Sequence, residues 1–277
     1  MPHPTTRDDA KQFLPKRATM GSMTTLHTTE FGNPDAARTV VLLSSIATTH
    51  EAWNKQIAVL ADDYRVVAVD HRGHGDSPTP NTRPAGVEDL ARDVLDALDA
   101  AGVGRFCVVG LSLGGAIAQW LAANTDRVDK AVFAATATYL GGEERWAERC
   151  GIVRRDGTGA LAGALMQAWF TDTFRQSHAD EVRWVHDMVE RIDDEGYAQN
   201  GDALATWDFE AELGLIECPV LTIAGASDPT CPPDALAKIA AGVSGPAESV
   251  VIDPGAHQVA IENPADFNDA LTQFLAE

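Results

Sequence analysis

The chain has 277 residues, 22% charged and 45% hydrophobic, which suits one large α/β domain or two modest ones with a sizeable core. Its formal charge of −20 argues against nucleic acid as a partner, because phosphates would be repelled. No apolar run approaches the roughly 18 residues of a membrane span. Cys107, Cys150, Cys218 and Cys231 are scattered without C-x-x-C spacing, so a reducing, cytoplasmic setting is expected rather than a disulfide framework or zinc site.

Residues 1–23 are polar, with prolines and mixed charge, and lack the apolar core of a signal peptide. They are expected to form a disordered N-terminal extension, with Met20 and Met23 as alternative starts. Thr24 to Phe31 alternates weakly and reads as an edge strand ending at Gly32-Asn33-Pro34. Arg38 to Ser44 is a continuous apolar run, as expected of a strand covered on both faces. The small-residue loop Ser45-Ile46-Ala47-Thr48-Thr49 and a helix with Trp53, Ile57 and Leu60 on one side follow. Tyr64 to Val69 reads as another strand, ending at Asp70-His71-Arg72-Gly73-His74-Gly75-Asp76-Ser77-Pro78, and Val87, Leu90, Val94 and Leu98 share a helix face.

Phe106 to Val109 drops into Gly110-Leu111-Ser112-Leu113-Gly114-Gly115, and an Ala-rich helical pattern begins at once. A strand that becomes a helix within two or three residues puts Ser112 at the apex of a strained turn. Flanking glycines then let neighbouring chains approach, and the serine sits at the positive end of the helix dipole. This is the nucleophile-elbow reading of G-x-S-x-G. The alternative is a glycine-rich turn with an idle serine.

Val128 to Ala135 is one more strand, and the alternation predicts a mostly parallel sheet with helices on both faces. From Tyr139 the rhythm changes to helical stripes, Leu161-Leu165-Trp169 and Val182-Val185-Val189-Ile192. An insertion of roughly 70 residues of this kind reads as a helical cap. The sheet resumes with Pro219 to Ala224 and Ser249 to Ile252, with helices around Ala235 to Ala241 and through Phe267, Leu271 and Phe274. The expected division is core at 24–138, cap at 139–210 and core again at 211–277.

A serine hydroxyl needs a base, and the base needs an orienting carboxylate. Asp228, directly after the Pro219–Ala224 strand, and His257, directly after the Ser249–Ile252 strand, stand where such groups belong. The order Ser112, Asp228, His257 is that of elbow-type hydrolases. Taken singly, Asp228 before Pro229 reads equally as a turn starter and His257 as a helix-entry residue. An oxyanion would be held by the backbone amides of Leu113 and Ile46. His71 and His74 lie among glycines that forbid a helix, so they read as a structural loop rather than a metal site. His3, His27, His50, His178 and His186 read as surface residues. No feature calls for a metal, flavin or nucleotide.

With these residues in place, the chain resembles the α/β-hydrolase superfamily, on the Asp70–Ser77 loop, the Gly110–Gly115 elbow, Asp228 and His257. Within it the sequence resembles the 3-oxoadipate enol-lactonases of aromatic catabolism, from roughly Thr24 to the end. That narrower match rests on Trp169-Phe170-Thr171, Asp194-Glu195-Gly196-Tyr197-Ala198, and Ala47-Thr48-Thr49 with Trp53. Two places depart from the family: Ala47 stands where many relatives carry glycine, and Asn200-Gly201 replaces a pair usually containing cysteine. The resemblance implies a serine hydrolase acting on a small anionic lactone or ester. A carboxylated substrate inside so acidic a protein requires a cation from the cap, for which Arg145, Arg149, Arg154 and Arg155 are the candidates, Arg149 foremost. Trp146 and Trp169 are expected to wall the ring pocket. A general carboxylesterase, a C–C hydrolase and a non-catalytic ligand receptor on the same fold remain alternatives, and monomer or homo-oligomer fits equally.

Overall fold

The computed structural model describes residues 25–277; the expected N-terminal extension lies outside them. Seven strands form one sheet in the order β1-β3-β2-β4-β5-β6-β7. They are β1 (Thr28–Gly32), β2 (Thr39–Leu43), β3 (Arg65–Val69), β4 (Phe106–Leu111), β5 (Val128–Ala134), β6 (Val220–Gly225) and β7 (Ala247–Ile252). Only β1 is antiparallel, paired to β3 from Thr28 against Val69 to Gly32 against Arg65. All other pairings are parallel, and the chain order reverses at the β2–β4 neighbourhood.

The period-2 alternation of the central strands divides the core into two layers. Val41, Leu43, Val67, Val69, Val108 and Phe133 face α2 (Val87–Ala100) and α3 (Leu113–Asn124). Val40, Leu42, Val66, Ala68, Val109 and Val132 face α1 (Asn54–Leu60) and the C-terminal helix (Pro264–Ala276), through Ile57, Leu60, Phe267, Leu271 and Phe274. Every side chain of β4 is buried, because its strand lies in the middle of the sheet.

Between β5 and β6 run five helices: α4 (Gly142–Asp156), α5 (Gly159–Trp169), α6 (Asp172–Ser177), α7 (Ala179–Glu190) and α8 (Asp194–Ala205). The two apolar stripes read from the sequence become α5 and α7. α4 and α8 bury shorter, mixed faces, Trp146-Cys150-Val153 and Tyr197-Gly201-Leu204, and pack on each other. A Cβ on Gly201 would lie 2.6 Å from the Cys150 Sγ and 2.9 Å from the Trp146 ring, so glycine here lets the two helices close. Tyr139 pairs with Asp208 in an isolated bridge where the insertion leaves the core. After β6 come α9 (Pro233–Gly242), then β7, α10 (Val259–Glu262) and α11 (Pro264–Ala276).

All four cysteines are free. Burial pushes the Cys107 and Cys218 thiols up to about 11 and Cys150 to about 12, which keeps them protonated and unreactive at neutral pH. No helix of the described residues is long and apolar enough to cross a membrane.

Candidate active site

β4 ends at Leu111 and α3 begins at Leu113, leaving Ser112 alone at the turn with φ 56° and ψ −111°. That left-handed backbone is costly for a non-glycine residue and persists only where the surroundings enforce it. They do so here through close backbone packing. A Cβ on Gly110 would sit 2.1 Å from the Gly114 carbonyl oxygen, and one on Gly114 would sit 2.0 Å from the Leu43 carbonyl oxygen. The Ser112 carbonyl accepts from the Ala116 amide and the Thr136 hydroxyl, fixing the turn from both sides.

Asp228 and His257 come together as expected. The His257 Nδ1 lies 2.8 Å from Asp228 Oδ2, with both side chains almost fully buried. Asp228 Oδ1 accepts from the Thr230 and Cys231 amides at 2.8 and 3.0 Å, so one carboxylate oxygen orients the group and the other meets the imidazole. The His257 ring stacks on Trp169, centroids 6.3 Å apart. Ser112 and His257 line one cavity, with no hydrogen bond between them among the described residues. Catalytic bonds in unliganded sites are commonly long and tighten with substrate.

The cavity measures about 280 Å³ and is lined by Ile46, Ser112 and His257 from the sheet side, and by Trp146, Arg149 and Trp169 from the inserted helices. Arg145 joins them, whereas Arg154 and Arg155 do not: Arg154 pairs with Glu195 and Asp202, and Arg155 with Asp156. The Arg149 guanidinium lies 4.8 Å over the Trp146 ring and donates to the Tyr197 hydroxyl at 2.7 Å, without a carboxylate partner among the described residues. No Asp or Glu lines this cavity among the described residues.

At the expected oxyanion position, the Leu113 and Ile46 amides donate to no protein acceptor among the described residues. Their neighbours are committed: the Gly114 amide donates to the Ser44 carbonyl at 3.1 Å, and the Ala47 amide to His74 Nε2 at 2.9 Å. Ala47 takes φ 64°, a conformation that glycine adopts more readily than alanine.

His71 and His74 are both buried, with His71 Nε2 2.9 Å from the Ser44 carbonyl. The reading of His27 and His50 as surface residues is corrected: both are half-buried. Both rings reach Asp70, His50 Nδ1 at 3.0 Å and His27 Nδ1 at 3.3 Å, because β1 and the loop after β2 converge on the end of β3. Bonding to Asp70, offset by burial, raises His50 above its usual value. His178 lies at the surface of the inserted helices, and His186 is half-buried there beside Asp187 and Glu190; His3 is outside the described residues.

Sequence reasoning missed the residues that join the inserted helices to the core. Glu262 accepts from the Thr171 amide at 3.1 Å and from the Ala256 amide at 2.9 Å, bridging the end of α5 to the loop of His257. Met188 Sδ accepts from the Thr49 amide at 3.2 Å, and Asn200 Nδ2 donates to the Arg72 carbonyl at 2.9 Å. The one signal available was the Asp193-Asp194-Glu195 run, an N-terminal helix signature: Asp193 caps α8 by accepting from the Gly196 amide at 2.8 Å.

The comparisons with known proteins fit this geometry. A family profile described as alpha/beta hydrolase fold matches residues 38–264. The chain is 34% identical over 200 residues to 3-oxoadipate enol-lactonase 2 of Acinetobacter baylyi, covering 72% of this chain and 74% of that protein. It is 29% identical over 262 residues to RutD of Agrobacterium fabrum, named for a proposed carbamate hydrolase activity, covering 90% of this chain and 98% of that one. The crystal structure of the enol-lactonase from Burkholderia xenovorans superposes with a TM-score of 0.87 at 33% identity, over 91% of this chain and 96% of that one. With a strand-turn-helix serine, an acid and an imidazole at the ends of later strands, and this profile across most of its length, the chain belongs to the alpha/beta hydrolase fold family.

Proposed function

We propose that the protein is a serine hydrolase that opens a small carboxylated enol-lactone of the 3-oxoadipate type. The observation that carries this reading is the pair of guanidinium groups, Arg145 and Arg149, unpaired with any carboxylate among the described residues, in a cavity that also holds Ser112 and His257. In a protein of charge −20 such cations serve an anionic ligand, and Trp146 and Trp169 give the ring apolar walls. The names of the two enol-lactonases support the same substrate class.

In this scheme the Ser112 oxygen attacks the lactone carbonyl while His257 Nε2 takes its proton. Asp228 holds the ring with Nδ1 protonated and stabilises the imidazolium that forms. The amides of Leu113 and Ile46 receive the oxyanion. Collapse breaks the acyl–oxygen bond of the ring, and the departing enol oxygen takes the proton from His257 and rearranges to the ketone. Water, deprotonated by His257, then attacks the Ser112 ester, and the proton passes back to the serine oxygen. A second reading, hydrolysis of a neutral ester or carbamate, draws on the RutD similarity, which spans more of the chain.

Lactone absorbance decay and release of 4-nitrophenol from 4-nitrophenyl acetate separate the two. Wild type consumes the enol-lactone and Ser112→Ala does not. Arg149→Leu raises KM for the lactone by about 10- to 100-fold, the worth of one charge-assisted bond, and moves the neutral ester by much less. An enzyme that cleaves the neutral ester and leaves the lactone untouched overturns the substrate.

A further inference from the structure

The two histidines of the Asp70–Ser77 loop take no part in the scheme above, although both touch the segment that carries the Ile46 amide. His74 is fully buried, and its two ring nitrogens have different partners. Nε2 lies 2.9 Å from the Ala47 amide nitrogen, which is a donor, so Nε2 must be the acceptor. Nδ1 therefore carries the proton and donates to the Arg72 carbonyl at 2.8 Å. The same carbonyl accepts from Asn200 of α8 at 2.9 Å, so the imidazole is pinned from the insertion as well as from its own loop.

On the other side of Ile46, the Ser44 carbonyl meets His71 Nε2 at 2.9 Å and accepts from the Gly114 amide at 3.1 Å. Residues 44 and 47 are thus held by side chains and backbone of other elements, and Ile46 lies between two anchors. Ala47 needs such an anchor, because φ 64° is a conformation an L-residue leaves unless restrained. If the Ala47 amide swung free, it would rotate the adjacent peptide groups, and the Ile46 N–H would turn away from the developing oxyanion.

We propose that His74 is a positioning residue for the oxyanion site: as the neutral Nδ1–H tautomer it fixes the Ala47 peptide and thereby aims the Ile46 amide into the cavity. The inference rests on the serine-hydrolase reading. It requires His74 to stay uncharged, since a proton on Nε2 would face the Ala47 N–H head on. Burial, with the neighbouring His71 ring, depresses its pKa to about 4; Asp70 and Asp193 are the acidic groups that oppose this.

The test compares His74→Gln, whose Oε1 can replace the Nε2 acceptor, with His74→Leu, which offers none. The probe is 4-nitrophenyl acetate, with Ser112→Ala as the blank. Loss of one oxyanion donor costs on the order of 100-fold in rate, so His74→Leu should lose about that much kcat with KM within twofold, and His74→Gln should recover most of it. A folded His74→Leu enzyme with wild-type kcat overturns the proposal. If Ser112→Ala remains active, the serine-hydrolase reading fails instead. A ¹⁵N imidazole spectrum of the wild-type protein needs no folded variant: between pH 6 and 8 it should show His74 neutral with Nδ1 protonated, and the opposite tautomer or the imidazolium sinks the idea.

Discussion

Asp228 has one oxygen occupied by two backbone amides, so only the other faces His257. In Asp228→Asn the amide group has one acceptor for these three donors. Keeping the Thr230 and Cys231 contacts turns an NH₂ toward the imidazole and selects the wrong tautomer. A fall in kcat of about 10,000-fold with little change in KM is the expected result, read from steady-state ester hydrolysis. At this scale Ser112, Asp228 and His257 could be named from the sequence because each follows an apolar strand, and strand ends in a parallel sheet converge. Arg149 was foremost among four cap arginines, but no local pattern set Arg154 aside: what separates them is the position of Glu195 and Asp202, which sit on another helix. Glu262, Asn200 and Met188 were silent for the same reason: their partners Thr171, Arg72 and Thr49 are at least 90 residues away along the chain.

Among the elements, the β4–α3 elbow is the one whose sequence and geometry constrain each other most tightly. Gly114 has no room for a methyl group, because the Leu43 carbonyl at the end of β2 would lie 2.0 Å from it. Gly114→Ala must therefore push β2 and α3 apart at the point where the Ser44 carbonyl bonds the Gly114 amide. A loss of about 3 kcal/mol is expected, at the upper end of overpacking costs, measurable as a lower urea midpoint. Strands and core helices were readable from periodicity, since each presents an apolar face. α4 and α8 were not. α4 is heavily charged, with only Trp146, Cys150 and Val153 on its buried face, and α8 buries Gly196, Asn200 and Gly201 around Tyr197 and Leu204, so the hydrophobic period of each is faint. The Gln199 and Asn200 amide groups of α8 donate to the 71–80 loop, Gln199 to the Pro80 carbonyl at 2.8 Å and Asn200 to the Arg72 carbonyl at 2.9 Å, contacts that no local pattern encodes.

For the whole molecule, the buried imidazoles set an acid limit. His74 is held at about 4 by burial against an unfolded value of 6.5, so below pH 6.5 the unfolded chain takes up a proton that the native state refuses. Stability must then fall as pH drops from about 6.5 to about 4, by up to about 3 kcal/mol from this one group. His71, also lowered by burial, acts in the same direction. His50 works oppositely: its raised value adds stability below pH 6.5 that is lost as pH rises through the folded value. Urea midpoints from pH 7 to pH 4 should therefore decline in the wild type and decline less steeply in His74→Gln.

The cavity wall has two origins. Ile46, Ser112, Thr230 and His257 come from loops at the ends of sheet strands, whereas Trp146, Arg149 and Trp169 come from helices threaded between β5 and β6. In the proposed scheme, bond-breaking and ligand choice thus sit on separate stretches of polypeptide. Descendants of such a chain can exchange what they accept by rewriting a few helical turns, with the chemistry itself carried forward intact.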